Sequence, residues 1–325
     1  MQQIDLKDRK ILYQLDLNCR QSNTQIGKKV GLSKQVVDYR IKKMEENGLI
    51  KGYYTVIDSY KLGYSVYRYY IVLQSTSTKQ KQEIIDYLAN YKNTFVVASL
   101  TGKFDISVLI WIKSIPEFYR FWDDVNDKYG DFFSEKVFSV YVKALTFRRS
   151  YLLQDKMDIK NRDMHDLIGV GEPVEIDKTD YKLLNELSVN AREVLLNLAS
   201  KINFSPQTVK YRMDNLSKIG VIQAFRAALD IGSLGYKEFK LDIYLKETSK
   251  RKKMIDYLSN NPNIVCISTS AGYADIETEF EIENADKMLE TIEDVKSKFP
   301  GVIRKYTYFS KQKFHKMRCI PEIEF

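Results

Sequence analysis

Apolar residues recur along the first fifty positions at a helical period. Leu6, Ile11, Leu12 and Leu15 follow an acidic N-cap residue, Asp5, and predict a first helix over residues 5–17. Ile26 and Val30 mark a shorter helix over residues 24–30, and Gly31-Leu32 supplies a turn. Val37, Ile41 and Met44 then form one apolar stripe over residues 33–47. Ser33 is placed to cap that last helix, because its hydroxyl can accept from the unpaired amides of the first turn. Gly48 ends it, where a residue without Cβ takes the left-handed conformation. Two short helices joined by a tight Gly-bearing turn predict a helix-turn-helix, with residues 33–47 as the recognition helix. Residues 49–58, rich in β-branched and aromatic side chains, predict a short hairpin or wing.

The period then changes to two. Residues 65–74 (Tyr67, Tyr69, Ile71, Leu73) read as a strand, and 79–91 as a helix carrying Ile84, Ile85 and Leu88. Strands follow over 94–101 and 104–112, separated by Gly102-Lys103. A helix with Pro116 near its start runs to about Lys128, and 135–145 forms a last strand. The order β-α-β-β-α-β is the ferredoxin-like split pattern.

The whole unit occurs twice. At an offset of 172, Ile4-Asp5-x-x-Asp8 lands on Ile176-Asp177-x-x-Asp180, and Asn18-x-Arg20 on Asn190-x-Arg192. Likewise Ser33-x-Gln35-x-Val37-x-Tyr39-Arg40 lands on Ser205-x-Gln207-x-Val209-x-Tyr211-Arg212, Gly48 on Gly220, and Leu62-Gly63-Tyr64 on Leu234-Gly235-Tyr236. After a two-residue deletion, Asp86-Tyr87-Leu88 pairs with Asp256-Tyr257-Leu258, and Gly102-x-x-Asp105 with Gly272-x-x-Asp275. The expected fold class is therefore α+β, a tandem duplication of a winged helix-turn-helix plus a βαββαβ domain. The predicted boundaries are a helical head over 1–60, a ferredoxin-like domain over 61–150, a linker over 151–175, a second head over 176–232 and a second ferredoxin-like domain over 233–325.

Composition adds little until its distribution is considered. The chain has 325 residues, a formal charge of +8 and three scattered cysteines without Cys-x-x-Cys spacing, which support neither a disulfide framework nor a metal site. No apolar run approaches the ~20 residues that span a bilayer, and the N-terminus lacks a signal-peptide layout; a cytoplasmic protein is the plain reading. Residues 1–64 carry about +5, more than half of the total, and 176–236 about +2. Basic charge concentrated on a helix-turn-helix fits an anionic partner.

Each half resembles the leucine-responsive/asparagine-synthetase regulator (Lrp/AsnC, or feast/famine) family. The likeness lies in Asp5-x-x-Asp8-x-x-Ile11-Leu12-x-x-Leu15, in Leu32-Ser33 with Val37-x-x-Arg40-Ile41-x-x-Met44-Glu45-x-x-Gly48-x-Ile50, in Leu62-Gly63 and in the Thr101-Gly102-x-Phe104-Asp105 turn. The resemblance implies DNA binding by the head and a ligand-sensing domain that pairs into dimers or larger rings. Single-unit members are usual, so two units in one chain imply a covalent pseudo-dimer.

Major-groove readout needs donors and acceptors near the start of the recognition helix. Ser33, Lys34, Gln35, Asp38 and Tyr39 are the expected contacts, with Lys42 and Lys43 on the phosphate backbone. In the second copy they are Gln207, Thr208, Lys210 and Tyr211; Pro206 there replaces Lys34, and Asp214-Asn215 replaces Lys42-Lys43. The bland alternative is a solvated helix face. Arg40 and Arg212 are expected to brace an acid such as Asp8 or Asp180 rather than to touch bases. Unequal heads and a non-palindromic site follow.

The resemblance also implies an effector such as an amino acid near the turn between the central strands. That maps to Thr101, Gly102 and Asp105, and to Ala271, Gly272 and Asp275, with an exposed Asp holding an α-amino group. An ordinary hairpin accounts for the same residues. The strand aromatics, with Trp111 and Trp122, read as core or pairing interface. The leading function is a DNA-binding transcription regulator, without catalytic residues, metal or cofactor. An architectural DNA-binding protein is one alternative. A siroheme-decarboxylase-like enzyme is another, weakened because the two histidines, His165 in the linker and His315 near the C-terminus, fall outside the central strands.

Overall fold

The computed structural model describes residues 4–156, 164–168 and 172–324, with side chains described outside 154–156 and 164–168. The first head contains α1 (Leu6–Leu17), α2 (Asn23–Val30), α3 (Lys34–Glu46) and β1 (Ile50–Ile57). The first sheet domain follows as β2 (Ser65–Leu73), α4 (Thr78–Asn90), β3 (Thr94–Gly102), β4 (Ile106–Ile112), α5 (Ile115–Tyr129) and β5 (Phe133–Phe147). After β6 (Met164–Ile168), the second copy repeats the order. Its head is α6 (Lys178–Val189), α7 (Leu195–Ile202), α8 (Pro206–Lys218) and β7 (Ile222–Leu229). Its sheet domain is β8 (Lys237–Leu245), α9 (Arg251–Leu258), β9 (Ile264–Ala271), β10 (Ile276–Ile282), α10 (Ala285–Lys298) and β11 (Ile303–Met317).

Local chemistry explains the heads. Asp5 and Asp8 form a reciprocal capping box at the start of α1, and Asp177 and Asp180 do so for α6. Ile11, Leu12 and Leu15 meet Ile26, Val30, Val37, Ile41 and Met44 in one buried cluster. The turn between α2 and α3 is tight: Gly31 has φ +69°, and a Cβ on Gly27 would stand 2.5 Å from the carbonyl oxygen of Leu32. Arg40 Nη1 reaches Asp5 and Asp8 at 2.8 Å each, and Arg212 repeats this with Asp177 and Asp180. Both arginines therefore brace the third helix against the first.

The wing differs from the sequence expectation. β1 makes no hairpin within its own head; it pairs antiparallel with β7 of the other copy, with Tyr53 opposite Ala227 and Thr55 opposite Phe225. A lone strand leaves its backbone groups unpaired, and the second copy supplies the missing partner. The heads interlock further through loops. Arg20 donates to the carbonyls of Ala191 and Glu193, and Arg192 donates to Cys19 O and Asn23 Oδ1.

The sheet domains also pair within the chain. Each contributes four antiparallel strands, and β3 joins β11 while β5 joins β9, so eight strands close one cycle of pairings. One face of each sheet carries its helices: Tyr69 and Ile71 pack with Ile84, Ile85, Phe118 and Phe121. The other faces meet between the halves, where Tyr70, Ala98, Leu100, Phe104 and Phe309 cluster. The 151–175 stretch is more structured than a plain linker. Tyr151 and Leu152 are buried in the first head's core, and β6 lies along the second half of β5.

Candidate nucleic-acid interface

α3 buries Val37, Ile41 and Met44 and leaves the opposite face in solvent. The Ser33 hydroxyl accepts from the Val36 amide, so it is the helix cap. Lys34, Gln35, Tyr39, Lys42 and Lys43 are exposed, and Tyr39 keeps 66% of its surface in solvent. Lys42 sits 3.7 Å from Glu46, an exposed pair of little energetic weight. Asp38 is different. It is half-buried and accepts from Asn23 Nδ2, whose own oxygen accepts from Arg192 of the other head. Its carboxylate is thus engaged in a relay between the heads.

The second head keeps the frame and changes the surface. Ser205 accepts from the Thr208 amide at 3.1 Å, and Gln207, Lys210 and Tyr211 are exposed while Thr208 is half-buried. Lys210 lies 3.7 Å from Asp214, again fully in solvent's reach. α2 begins with a Ser22–Gln25 capping box, whereas α7 begins at Val194 without any side-chain cap. Val189, Val194 and Leu196 are exposed where the first head carries Leu17, Ser22 and Thr24. The start of α7 therefore offers less polar anchorage for a phosphate than the start of α2.

The two predicted effector turns sit where the halves join. Gly102 (φ +120°) lies opposite Phe309, with an added Cβ only 3.1 Å from Phe309 Cβ; a Cβ added to Gly272 (φ +93°) would stand 3.3 Å from Phe138 O. Close strand pairing and positive φ explain both glycines. Thr101 and Ala271 are exposed. Asp105 and Asp275, expected as exposed acids, are only half-exposed and already occupied. Asp105 accepts from the Leu73 amide at 2.8 Å and faces Lys81; Asp275 accepts from the Leu245 amide at 2.8 Å and from Arg251.

Two polar networks escaped the sequence reading. In the first, buried Asp16 receives Arg226 and Arg149, and Arg149 continues to Glu281. This ties the first head to the wing of the second and to the second sheet. In the other, Glu277, fully buried between the sheets, receives both Arg68 and Lys240. Burial alone would raise the Glu277 carboxyl, but the two cations outweigh it and hold it at about 2. The alternation Glu277-x-Glu279-x-Glu281 is the one available signal, since an inward face of glutamates requires inward cations. By strand periodicity alone it reads as a solvent face. His315, expected near the C-terminus and outside the central strands, lies on the last strand, β11, and shares a hydrogen bond with Ser99 of β3. The predicted linker histidine, His165, falls on β6, outside the residues with described side chains. Among the described residues no helix is long and apolar enough to cross a membrane.

Capped three-helix heads with exposed third helices, carried on paired α+β domains, define a protein of the winged helix-turn-helix class. A family model described as winged helix-turn-helix DNA-binding matches residues 4–51 and 176–223. Regulatory protein AsnC of Haemophilus influenzae is 31% identical over 120 residues, 79% of its length and 37% of this chain. The transcriptional regulator FL11 of Pyrococcus horikoshii is also 31% identical over 120 residues, covering 78% of its length. The chain belongs to the Lrp/AsnC family of transcription regulators, with two copies of the family unit. Among solved structures, the siroheme decarboxylase NirDL overlays 96% of this chain and 92% of its own at a TM-score of 0.64 and 12% identity. That likeness is one of fold.

Proposed function

We propose that the protein recognises a specific, non-palindromic DNA site through two unequal heads, and that a small molecule tunes this binding. The observation that carries the reading is the pair of recognition helices. α3 and α8 share cap, core stripe and brace, yet Lys34, Lys42 and Lys43 of the first stand against Pro206, Asp214 and Asn215 of the second. Gln35, Lys34 and Tyr39 read bases or adjoining phosphate, with Ser33 at the helix start; Lys42 and Lys43 hold the backbone. Gln207, Thr208, Lys210 and Tyr211 make the weaker second set. The β1–β7 ladder fixes the heads relative to each other, so the sandwich acts as a covalent pseudo-dimer. Small-molecule control extends the family relationship to Thr101, Gly102, Asp105, Ala271, Gly272 and Asp275 as the first positions to examine.

Binding of the full chain to its own promoter duplex, against a scrambled duplex across a salt series, tests the reading. A regulator prefers its site by ~10³-fold or more, with a steep salt dependence from phosphate contacts. Lys34→Ala/Gln35→Ala should cost more affinity than Gln207→Ala/Lys210→Ala. Equal binding to both duplexes would favour an architectural role, and no binding at low salt would refute both. The decarboxylase reading relies on histidine as proton donor. His315 is instead bonded to Ser99, with Lys313, Lys81 and Asp86 as its charged neighbours.

A further inference from the structure

The closed cycle of eight strands holds a cavity of about 360 Å³ that reaches the wing strand β1. Strand alternation decides which side chains face it. On β4, Val108 and Ile110 pack under the helices, so Leu109 points inward; on β10, Ile276, Phe280 and Ile282 pack under theirs, so Glu279 points inward. Val96, Leu109 and Phe314 line an apolar part of the cavity, and Cys266, Glu279 and Lys311 a polar part. All six are only half-buried. The Glu279 side chain keeps 25% of its surface accessible, and because it points inward that surface opens onto the cavity. The volume suits a molecule of one or two rings, near the lower end of ligand pockets. Val96 and Leu109 correspond in the repeat to Cys266 and Glu279, and Tyr141 to Lys311. Duplication into one chain permits this contrast, because a symmetric dimer would carry each part twice.

Glu279 has an acceptor atom open to an occupant. Its Oε2 accepts from Lys311 Nζ at 2.8 Å, and among the described residues no donor reaches its Oε1. Burial pushes the carboxyl up, but Lys311 and Lys240 outweigh this and hold it at about 2, so it is ionised. An ionised oxygen beside an apolar wall favours a hydrogen-bond donor. A further cation would meet Lys311 and Lys240, which also line the cavity, and like charges repel. The donor that fits is therefore a neutral N–H or O–H. We propose that this cavity binds a small neutral molecule with a flat apolar body and one N–H or O–H donor. The donor meets Glu279 Oε1, and the body lies against Val96, Leu109 and Phe314. Tyr54 and Val56 of β1 line the same cavity, and β1 is the strand that pairs the heads. That the occupant acts as an effector rests on the regulator reading; the binding chemistry does not.

Calorimetric titration of the full chain with indole and with benzofuran, which has the same bicyclic shape without the N–H, tests the site. Indole should bind about tenfold or more tightly, as a hydrogen bond to a charged group implies. Benzylammonium, an apolar ring bearing a cation, should bind more weakly than indole. Glu279→Gln, which leaves Lys311 its contact with Glu238, should cut the preference for indole to about threefold or less without moving benzofuran. Leu109→Trp should weaken both bicyclic probes about tenfold by filling the cavity. Failure of indole to bind, equal affinity for indole and benzofuran, or tighter binding of benzylammonium would overturn the proposal, and all three are read on the unaltered chain. An undiminished preference in Glu279→Gln or undiminished binding to Leu109→Trp would also overturn it. Promoter binding is measured on the same sample with and without indole. Specific DNA binding without indole binding refutes the cavity site and leaves the regulator. Indole binding without DNA binding does the reverse, and DNA affinity unmoved by saturating indole refutes the effector role.

Discussion

Asp16→Asn separates a local contact from the frame of the whole molecule. Asp16 is fully buried on α1, and its carboxylate accepts from the Arg149 amide at 2.7 Å, Arg149 Nη1 at 2.8 Å, Arg226 Nε at 3.0 Å and Arg226 Nη2 at 2.8 Å. The amide side chain keeps the shape and loses the charge. Arg226, 6% exposed, then keeps neutral acceptors, the Phe147 carbonyl and the amide oxygen, but loses its carboxylate, while Arg149 keeps Glu281. Removing one partner from a buried ion network costs about 3–5 kcal/mol, because the remaining charge stays buried without compensation. The expected loss falls at the low end, since the substituted amide still accepts through its oxygen and Arg149 is still paired. Chemical denaturation followed by circular dichroism measures it, with hydrogen exchange at the Cys19 amide, which donates to Phe225 O across the heads, as the local probe. Destabilisation should be accompanied by faster exchange there and weaker DNA binding at unchanged α3 composition. A stability change under about 1 kcal/mol, the range of exposed pairs, would refute the claim that this network holds the heads.

Gly27→Ala should destabilise the first head by about 1–3 kcal/mol, as overpacking does, because its Cβ meets the Leu32 carbonyl at 2.5 Å; thermal melting and DNA affinity would both report it, and an unchanged melting point would contradict the geometry. Asp242 is buried with its acid form favoured: burial raises its carboxyl to about 6 against the pull of Lys240 and Arg68. A raised carboxyl stabilises the fold at low pH and loses that contribution as pH rises from its unfolded value of 3.8 through about 6. Asp242→Asn should therefore gain on the wild type by on the order of 2–3 kcal/mol between pH 4 and pH 7.5, and a stability difference independent of pH would refute this. Glu277 has the opposite sign: its stabilising contribution is present above 4.5 and is lost as pH falls toward about 2, so Glu277→Gln should flatten the acid limb of the melting curve. Arg212→Ala should loosen α8 from α6 by breaking contacts to Asp177 and Asp180, seen as faster exchange of α8 amides with α3 amides unchanged; equal loosening of both helices would argue against separate braces.

Short-range signals carried most of the chain organisation. The helical stripes, the caps at Asp5, Ser33, Asp177 and Ser205, and the glycine turns are set by side chains within four residues of each other, so a linear reading finds them. The arginine braces were legible because Arg40 and Arg212 recur at matching positions beside acids in both copies. The exposure of Lys34, Gln35, Tyr39, Lys42 and Lys43 follows from the same helical stripe, whereas the engagement of Asp38 depends on Asn23 and on Arg192 from the other copy.

The sequence by itself determined the elements, their order and their duplication, since periodicity and capping depend on neighbours along the chain. It also determined that two heads of unequal charge exist. Only the tertiary structure decided that β1 pairs with β7, that β3 and β5 pair with β11 and β9, and that Glu277, Glu279 and Glu281 face cations instead of water. Alternation shows which residues share a face of a strand, and only the packing of distant segments decides whether that face meets solvent, a partner sheet or a cavity.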